Sequence, residues 1–138
     1  MRKTSSLFKN LDKPRKPYRQ GAEEREQSLF FDFVRLKALQ DARLYTVYHI
    51  PNEGKASIQR RLAMARAGLR KGIPDVCCPF PNAKYHALYI EMKVKPNKPS
   101  VAQKEMLEHL NKSGNLAVIC WSGSEAIQTL ERYIADEI

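Results

Sequence analysis

The sequence predicts an α/β domain, a mixed β-sheet flanked by α-helices. Three observations carry this. Apolar residues recur at helical spacing in four segments. Between them lie four shorter stretches with strand character, bounded by Gly, Pro and Asn. In chain order the elements read helix, strand, helix, strand, strand, helix, strand, helix, which packs naturally as helices on a sheet. The 138 residues suffice for one domain with a real core and hardly for two. Residues 1–20 read as a basic N-terminal arm and 21–138 as the domain.

The arm holds Arg2, Lys3, Lys9, Lys13, Arg15, Lys16 and Arg19 against Asp12. Pro14 and Pro17 break any helix there. It reads as a segment able to contact phosphates, with a solvated terminus as the alternative. Gly21 to Gln40 reads as a helix whose apolar face carries Phe30 and Val34. Glu23 and Gln27 continue that face toward the helix start. A carboxylate there needs a partner. Glu23, Glu24 and Glu26 are also ordinary first-turn acids that suit the helix dipole. Leu44 to Ile50 alternates as a strand and ends at Pro51-Asn52. His49 shows no metal-ligand spacing with another histidine and reads as structural or surface.

Asn52 to Lys71 is basic, with Glu53 its only acid. Ser57 is a plausible N-cap and Gly68 a plausible C-cap. Ile58, Leu62, Ala65 and Leu69 form a stripe expected to dock this helix. Lys55, Arg60, Arg61, Arg66, Arg70 and Lys71 lie off the stripe and read as phosphate contacts. Asn52-x-Gly54-Lys55 could turn backbone amides and a lysine toward a phosphate, or be a plain turn. Lys95 and Lys98 make a later basic loop. Ser100 to Asn111 reads as a helix, with Ser100 and Gln103 placed for a capping box. Leu116 to Trp121 reads as a buried strand. Ser124 is expected to cap a last helix carrying Ile127, Leu130 and Tyr133.

The chemistry sits in the remaining pair of strands. Val76-Cys77-Cys78 follows Asp75, and Tyr85 to Ile90 leads to Glu91. A turn near Asn82–Ala83 puts Asp75 opposite Glu91 or beside it. Two adjacent carboxylates repel unless a divalent cation lies between them. Glu91 and Lys93 are two apart and share a strand face. The set reads as a metal site with a cation beside it, where a phosphate is polarised and attacked. Mg²⁺ or Mn²⁺ is expected on Asp75 and Glu91, with the Met92 carbonyl a further ligand. Lys93 is expected to orient or deprotonate the water and to offset charge on the phosphoryl oxygens; the adjacent carboxylates raise its pKa, which favours the electrostatic role over the base.

Pro74-Asp75 followed by Glu91-x-Lys93 looks like the PD-(D/E)xK nuclease signature. Asn52-Glu53-Gly54-Lys55, Gly72-Ile73-Pro74-Asp75, Glu91-Met92-Lys93 and Ser100-Val101-Ala102-Gln103, in that order, resemble the VRR-NUC family in its stand-alone short form. The resemblance runs from about Glu23 to Trp121. It implies a restriction-endonuclease-like core. It implies that Glu23, as the acid of an E-x-x-x-Q pattern, joins the metal site, with Glu26 the competing choice. It also implies that Gln103 lies beside the lysine and the attacking water. Both roles can hold in part, but one amide cannot fully serve both that role and the capping box.

A net charge of +9 favours a polyanionic partner, nucleic acid before membrane surface. No apolar run approaches a membrane span, and the charged N-terminus lacks the apolar region of a signal peptide. Cys77, Cys78 and Cys120 form no zinc or disulfide pattern, so a reducing cytoplasm fits, nucleoid-associated or inside a host cell if viral. The expected function is a metal-dependent DNA endonuclease. The resemblance leans toward branched DNA, including four-way junctions. A homodimer would supply two sites for paired incisions, with apolar residues of the last helix as candidate interface. A monomeric flap or nick nuclease and a non-catalytic nucleic-acid-binding module are the alternatives. Deleting residues 1–20 should weaken DNA binding and flatten its salt dependence by roughly 0.9 per lost phosphate contact. A titration of affinity against salt checks this, and an unchanged slope would remove the arm from the interface.

Overall fold

The computed structural model describes residues 20–51 and 55–138. The arm's residues 1–19, and Asn52, Glu53 and Gly54, lie outside that description. The order is α1 (Ala22–Ala38), a 3₁₀ helix (Ala42–Thr46), β1 (Tyr48–His49), α2 (Ile58–Arg66), β2 (Val76–Cys78), β3 (Leu88–Met92), α3 (Val101–Lys112), β4 (Leu116–Cys120) and α4 (Gly123–Ile134). The α/β expectation holds. One sheet runs β1-β2-β3-β4, antiparallel at its first two pairings and parallel between β3 and β4. A parallel pair needs a crossover, and α3 supplies it.

Strand alternation divides the sheet into two faces. Val76, Cys78, Leu88, Ile90, Met92 and Cys120 join Phe30, Val34 and Ala38 of α1 and Ala126, Leu130 and Tyr133 of α4 in the main core. On α1 these are positions i, i+4 and i+8, a single stripe. The opposite face carries Cys77 and Ala117, both buried, and is covered by α3 through Leu107. All of β2 is therefore buried, as its apolar run requires.

The long β2–β3 connection is organised by Asn82. Its Oδ1 accepts from the Tyr85 and Lys84 amides at 2.7 and 2.9 Å, a side-chain substitute for a backbone turn. Its Nδ2 donates to the Tyr133 and Ile138 carbonyls. The Tyr133 hydroxyl donates to the Phe80 carbonyl at 2.8 Å, which ties the same loop to α4.

Three local expectations are corrected. The stretch from Leu44 is not all strand. Asp41 accepts from the Arg43 amide and pairs with its guanidinium, and the Thr46 hydroxyl donates to the Arg43 carbonyl at 2.6 Å. These local bonds compete with a ladder and close a 3₁₀ turn that buries Leu44. The cap of α4 is Ser122, whose side chain accepts from the Glu125 amide, so the helix starts before Ser124. The stripe on α2 does not dock the helix. No residue of α2 is buried, and Ile58 and Leu62 are 67% and 66% exposed. No described helix is long and apolar enough to cross a membrane.

One glycine positions the site. Gly72 has φ +78, and a Cβ there would run into the Ala102 carbonyl at the start of α3. Gly72→Ala should therefore lower stability by about 2 kcal/mol or more, from left-handed strain plus the forced shift of α3. Gly21, with nothing within 4 Å of its missing Cβ, is the control position. Urea denaturation of both variants checks this, and equal stabilities would refute the close approach.

Candidate active site

The register of β2 and β3 fixes the carboxylate pair. Val76 faces Ile90, so Asp75, one residue earlier, lies opposite Glu91. The Asp75 carbonyl turns to the β1 side, where it accepts from the Ile50 amide at 2.8 Å. The Lys93 amide turns the other way and donates to the Cys120 carbonyl at 2.9 Å, so Glu91, two residues before it, also turns its backbone toward β4. Asp75 and Glu91 are thus a non-hydrogen-bonded pair, the class whose side chains stand closest.

Met92 alternates toward β2. Its amide donates to Asp75 Oδ2 at 2.7 Å. Continued by one more step, the register puts Pro74 opposite Met92, and proline has no N–H to give. The proline before the aspartate thus offers the Met92 carbonyl no ladder donor.

Glu91 is only 1% exposed. Its Oε1 receives the Lys93 ammonium at 2.8 Å and the Gln103 amide nitrogen at 2.6 Å. Its Oε2 is buried with no partner. Burial pushes its pKa up to about 7, against the opposing pull of Lys93 and with help from the Asp75 charge. Burial also raises Asp75, although the Met92 amide and Lys93 oppose this. Lys93 is itself buried, which disfavours its charge, but Glu91, then Glu23 and Asp75, outweigh that and raise its pKa. The lysine is therefore held as an ammonium.

Glu23 Oε2 comes within 3.9 Å of the Lys93 ammonium, while its Oε1 accepts from Asn97 at 3.0 Å. Glu26 points elsewhere: its Oε2 accepts from the Gly123 amide at 2.6 Å, at the start of α4. Of the two glutamates, Glu23 is the one at the site. It lines a cavity of about 590 Å³ with Asp75, Met92, His49 and Asn97.

Gln103 does two jobs that one amide is expected to share only in part. Its Oε1 accepts from the Ser100 amide at 2.8 Å, and Ser100 Oγ accepts from the Gln103 amide, a complete capping box. Its Nε2 is then left to donate to Glu91. An amide has two ends, and each takes one task.

The fit to a divalent cation rests on oxygens. An orphaned buried Oε2, the second Asp75 oxygen and a carbonyl facing proline are hard donors of the kind Mg²⁺ or Mn²⁺ takes. Among the described residues, no group of three or more His, Cys, Asp and Glu side chains forms a ready metal cluster. The cation that Glu91 and Glu23 share is the Lys93 ammonium.

Most of the basic residues line a cavity other than that of Asp75 and Glu23. Lys55, Arg60, Arg61, Arg70 and Lys71 line a second cavity of about 560 Å³, over Met64, Ala65 and Leu69. Arg66 is exposed on the same helix, and Lys95 and Lys98 are exposed on the loop after β3. None of these cations has an acidic partner among the described residues. Asn52 lies outside the description. Sequence reasoning missed Asn97 and His49 at the cavity. His49 ends the strand beside Asp75, a clue that only the sheet order makes readable.

The sequence profile of the VRR-NUC domain matches residues 11–123. Among solved structures, one described as a VRR_NUC domain protein is similar at 24% identity. It covers 80% of this chain and 88% of its own, with a TM-score of 0.66. That likeness supports the fold. No curated protein matches.

Glu91 makes stability depend on pH in the metal-free protein. Its folded pKa, about 7, lies above the ordinary 4.5. Between those values the folded chain keeps a proton that the unfolded chain has released. Stability should therefore fall as pH rises through that window, by roughly 3 kcal/mol at most. Denaturation in EDTA from pH 5 to 8 measures the slope. Glu91→Gln should flatten it, and an equally steep slope in that variant would refute the assignment.

Proposed function

Since the chain belongs to the VRR-NUC family, whose domain is of nuclease type, we propose that it is a Mg²⁺- or Mn²⁺-dependent endonuclease acting on branched DNA. The observation that carries this is Glu91, a carboxylate buried opposite Asp75 with one oxygen unpartnered and a lysine on the other. A purely structural core has no use for that arrangement.

Asp75, Glu91 and the Met92 carbonyl would hold the ion, with Glu23 at its outer side. Bound there, it would activate water and stabilise charge on the phosphate. The chain's own residues do the rest. Gln103 fixes the Glu91 carboxylate. Lys93 stays protonated and offsets charge on the phosphoryl oxygens, so its role is electrostatic. The exposed cations of α2 and the loop carrying Lys95 and Lys98 take phosphates along the nucleic acid, and Asn52 would add to them. The pairing of hydrolysis with a broad basic surface favours readout of shape over readout of sequence.

Paired incisions across a junction need two sites in fixed relation, and a homodimer supplies them. Ala126, Leu130 and Tyr133 of α4 are taken up by the core, which leaves the partly buried Ile127 and Ile134 as that helix's apolar candidates for the interface.

Cleavage of linear, flap, fork and four-way substrates with Mn²⁺, with and without EDTA, tests the proposal. We expect branched substrates to be cut in Mn²⁺ and not in EDTA. Asp75→Ala and Glu91→Ala should cut at least roughly 100-fold more slowly while binding DNA as well or better, since each removes charge that opposes phosphate. Variants that cut at the wild-type rate would sink the site assignment. Light scattering of free and junction-bound protein gives the assembly. A one-chain mass in both states, with full junction cleavage, would rule out the dimer.

A further inference from the structure

His49 stands at this site with half of its chemistry unused. It is the last residue of β1, beside Val76 in the register, and its ring is half-buried. Its Nδ1 lies 2.7 Å from the Asp75 carbonyl. A carbonyl can only accept, so Nδ1 carries a proton, and the neutral ring presents Nε2 as an acceptor. Nε2 has no hydrogen bond among the described residues. The ring forms part of the cavity that Asp75, Met92 and Glu23 line. His49 also lines a smaller cavity with Phe31, Asp32 and Arg35 of α1. Asp32 and Arg35 pair with each other at 3.0 Å and ask nothing of it.

The bond to Asp75 is not needed by the sheet. That carbonyl already accepts the ladder bond from the Ile50 amide at 2.8 Å. A second donor on the same oxygen adds little to pairing, but it fixes the tautomer and the ring plane. The ring sits against the backbone of the residue whose carboxylate faces Glu91.

We propose that His49 orients the water consumed in hydrolysis. Nδ1–H anchors the ring on the Asp75 carbonyl, and Nε2 accepts a hydrogen bond from a water in the cavity. This aims a water lone pair without any proton leaving it. Lys93 cannot play that part, because an ammonium donates and accepts nothing. Gln103 cannot either, because both ends of its amide are engaged. The inference rests on the nuclease reading above and adds a residue to it.

Two amides separate the two nitrogens. Asparagine can keep a donor near the Nδ1 position and has nothing at Nε2. Glutamine can place an acceptor near Nε2. Full-length His49→Asn and His49→Gln are compared with wild type for kcat and KM on a branched substrate in Mn²⁺. Mn²⁺ affinity by calorimetry and thermal melting accompany them. We expect His49→Asn to melt near wild type, keep its Mn²⁺ affinity and KM within about threefold, and lose kcat by roughly 100-fold. His49→Gln should recover at least about tenfold of that loss. A His49→Asn protein with wild-type kcat overturns the proposal. So does a His49→Gln protein no faster than His49→Asn, or a loss explained by weaker Mn²⁺ binding or by unfolding in both variants. A wild-type protein that cuts nothing removes the nuclease reading and this one together. A wild type that cuts beside an equally fast His49→Asn removes this one alone.

Discussion

The buried Glu91 carboxylate is the constraint around which the rest of the structure is arranged. A charge taken out of water must be met by partners or be neutralised. Lys93 and Gln103 both meet one oxygen of Glu91 and leave the other bare. Two of the three come from one short stretch of β3 and its exit, and the third from the first turn of α3. Gly72 lets that turn lie against the loop before Asp75. The sheet register, the glycine and the helix cap each place one wall of the same small volume.

The hairpin was the part most legible in sequence. Alternation on two strands and a turn at Asn82 put Asp75 across from Glu91, and strand geometry left little freedom in that. The helices were legible too, because stripes carrying Phe30 and Val34 or Leu130 and Tyr133 need burial. What failed depended on competition that no pattern displays. The segment at Leu44 alternates like a strand, but Asp41 and Thr46 offered its backbone closer partners. Helix α2 has a docking stripe by period, yet period says nothing about whether a neighbour exists. His49 has no sequence neighbour that reveals it, because its partner lies 26 residues away.

The two functional regions differ in what holds them. Glu91 sits in the best-buried part of the sheet, with Asp75 at its rim. The basic helix is nine residues long and buries none of them. A helix so short is marginal alone in water, and tertiary packing normally stabilises it. Here that support is slight, so α2 belongs to the least stable part of the described chain. A rigid centre and a loosely held basic flank divide the work between precise chemistry and adaptable contact with a polyanion.

The double engagement of Gln103 makes Ser100 an impostor. Ser100 touches neither carboxylate, yet its amide and hydroxyl hold the glutamine that steadies Glu91. Any change that loosens this serine lets the first turn of α3 fray and sets the glutamine swinging. A mutational scan scored on turnover alone would then flag Ser100 as a chemical participant. It would in truth be a hinge pin, and a stability measurement beside the turnover would expose it.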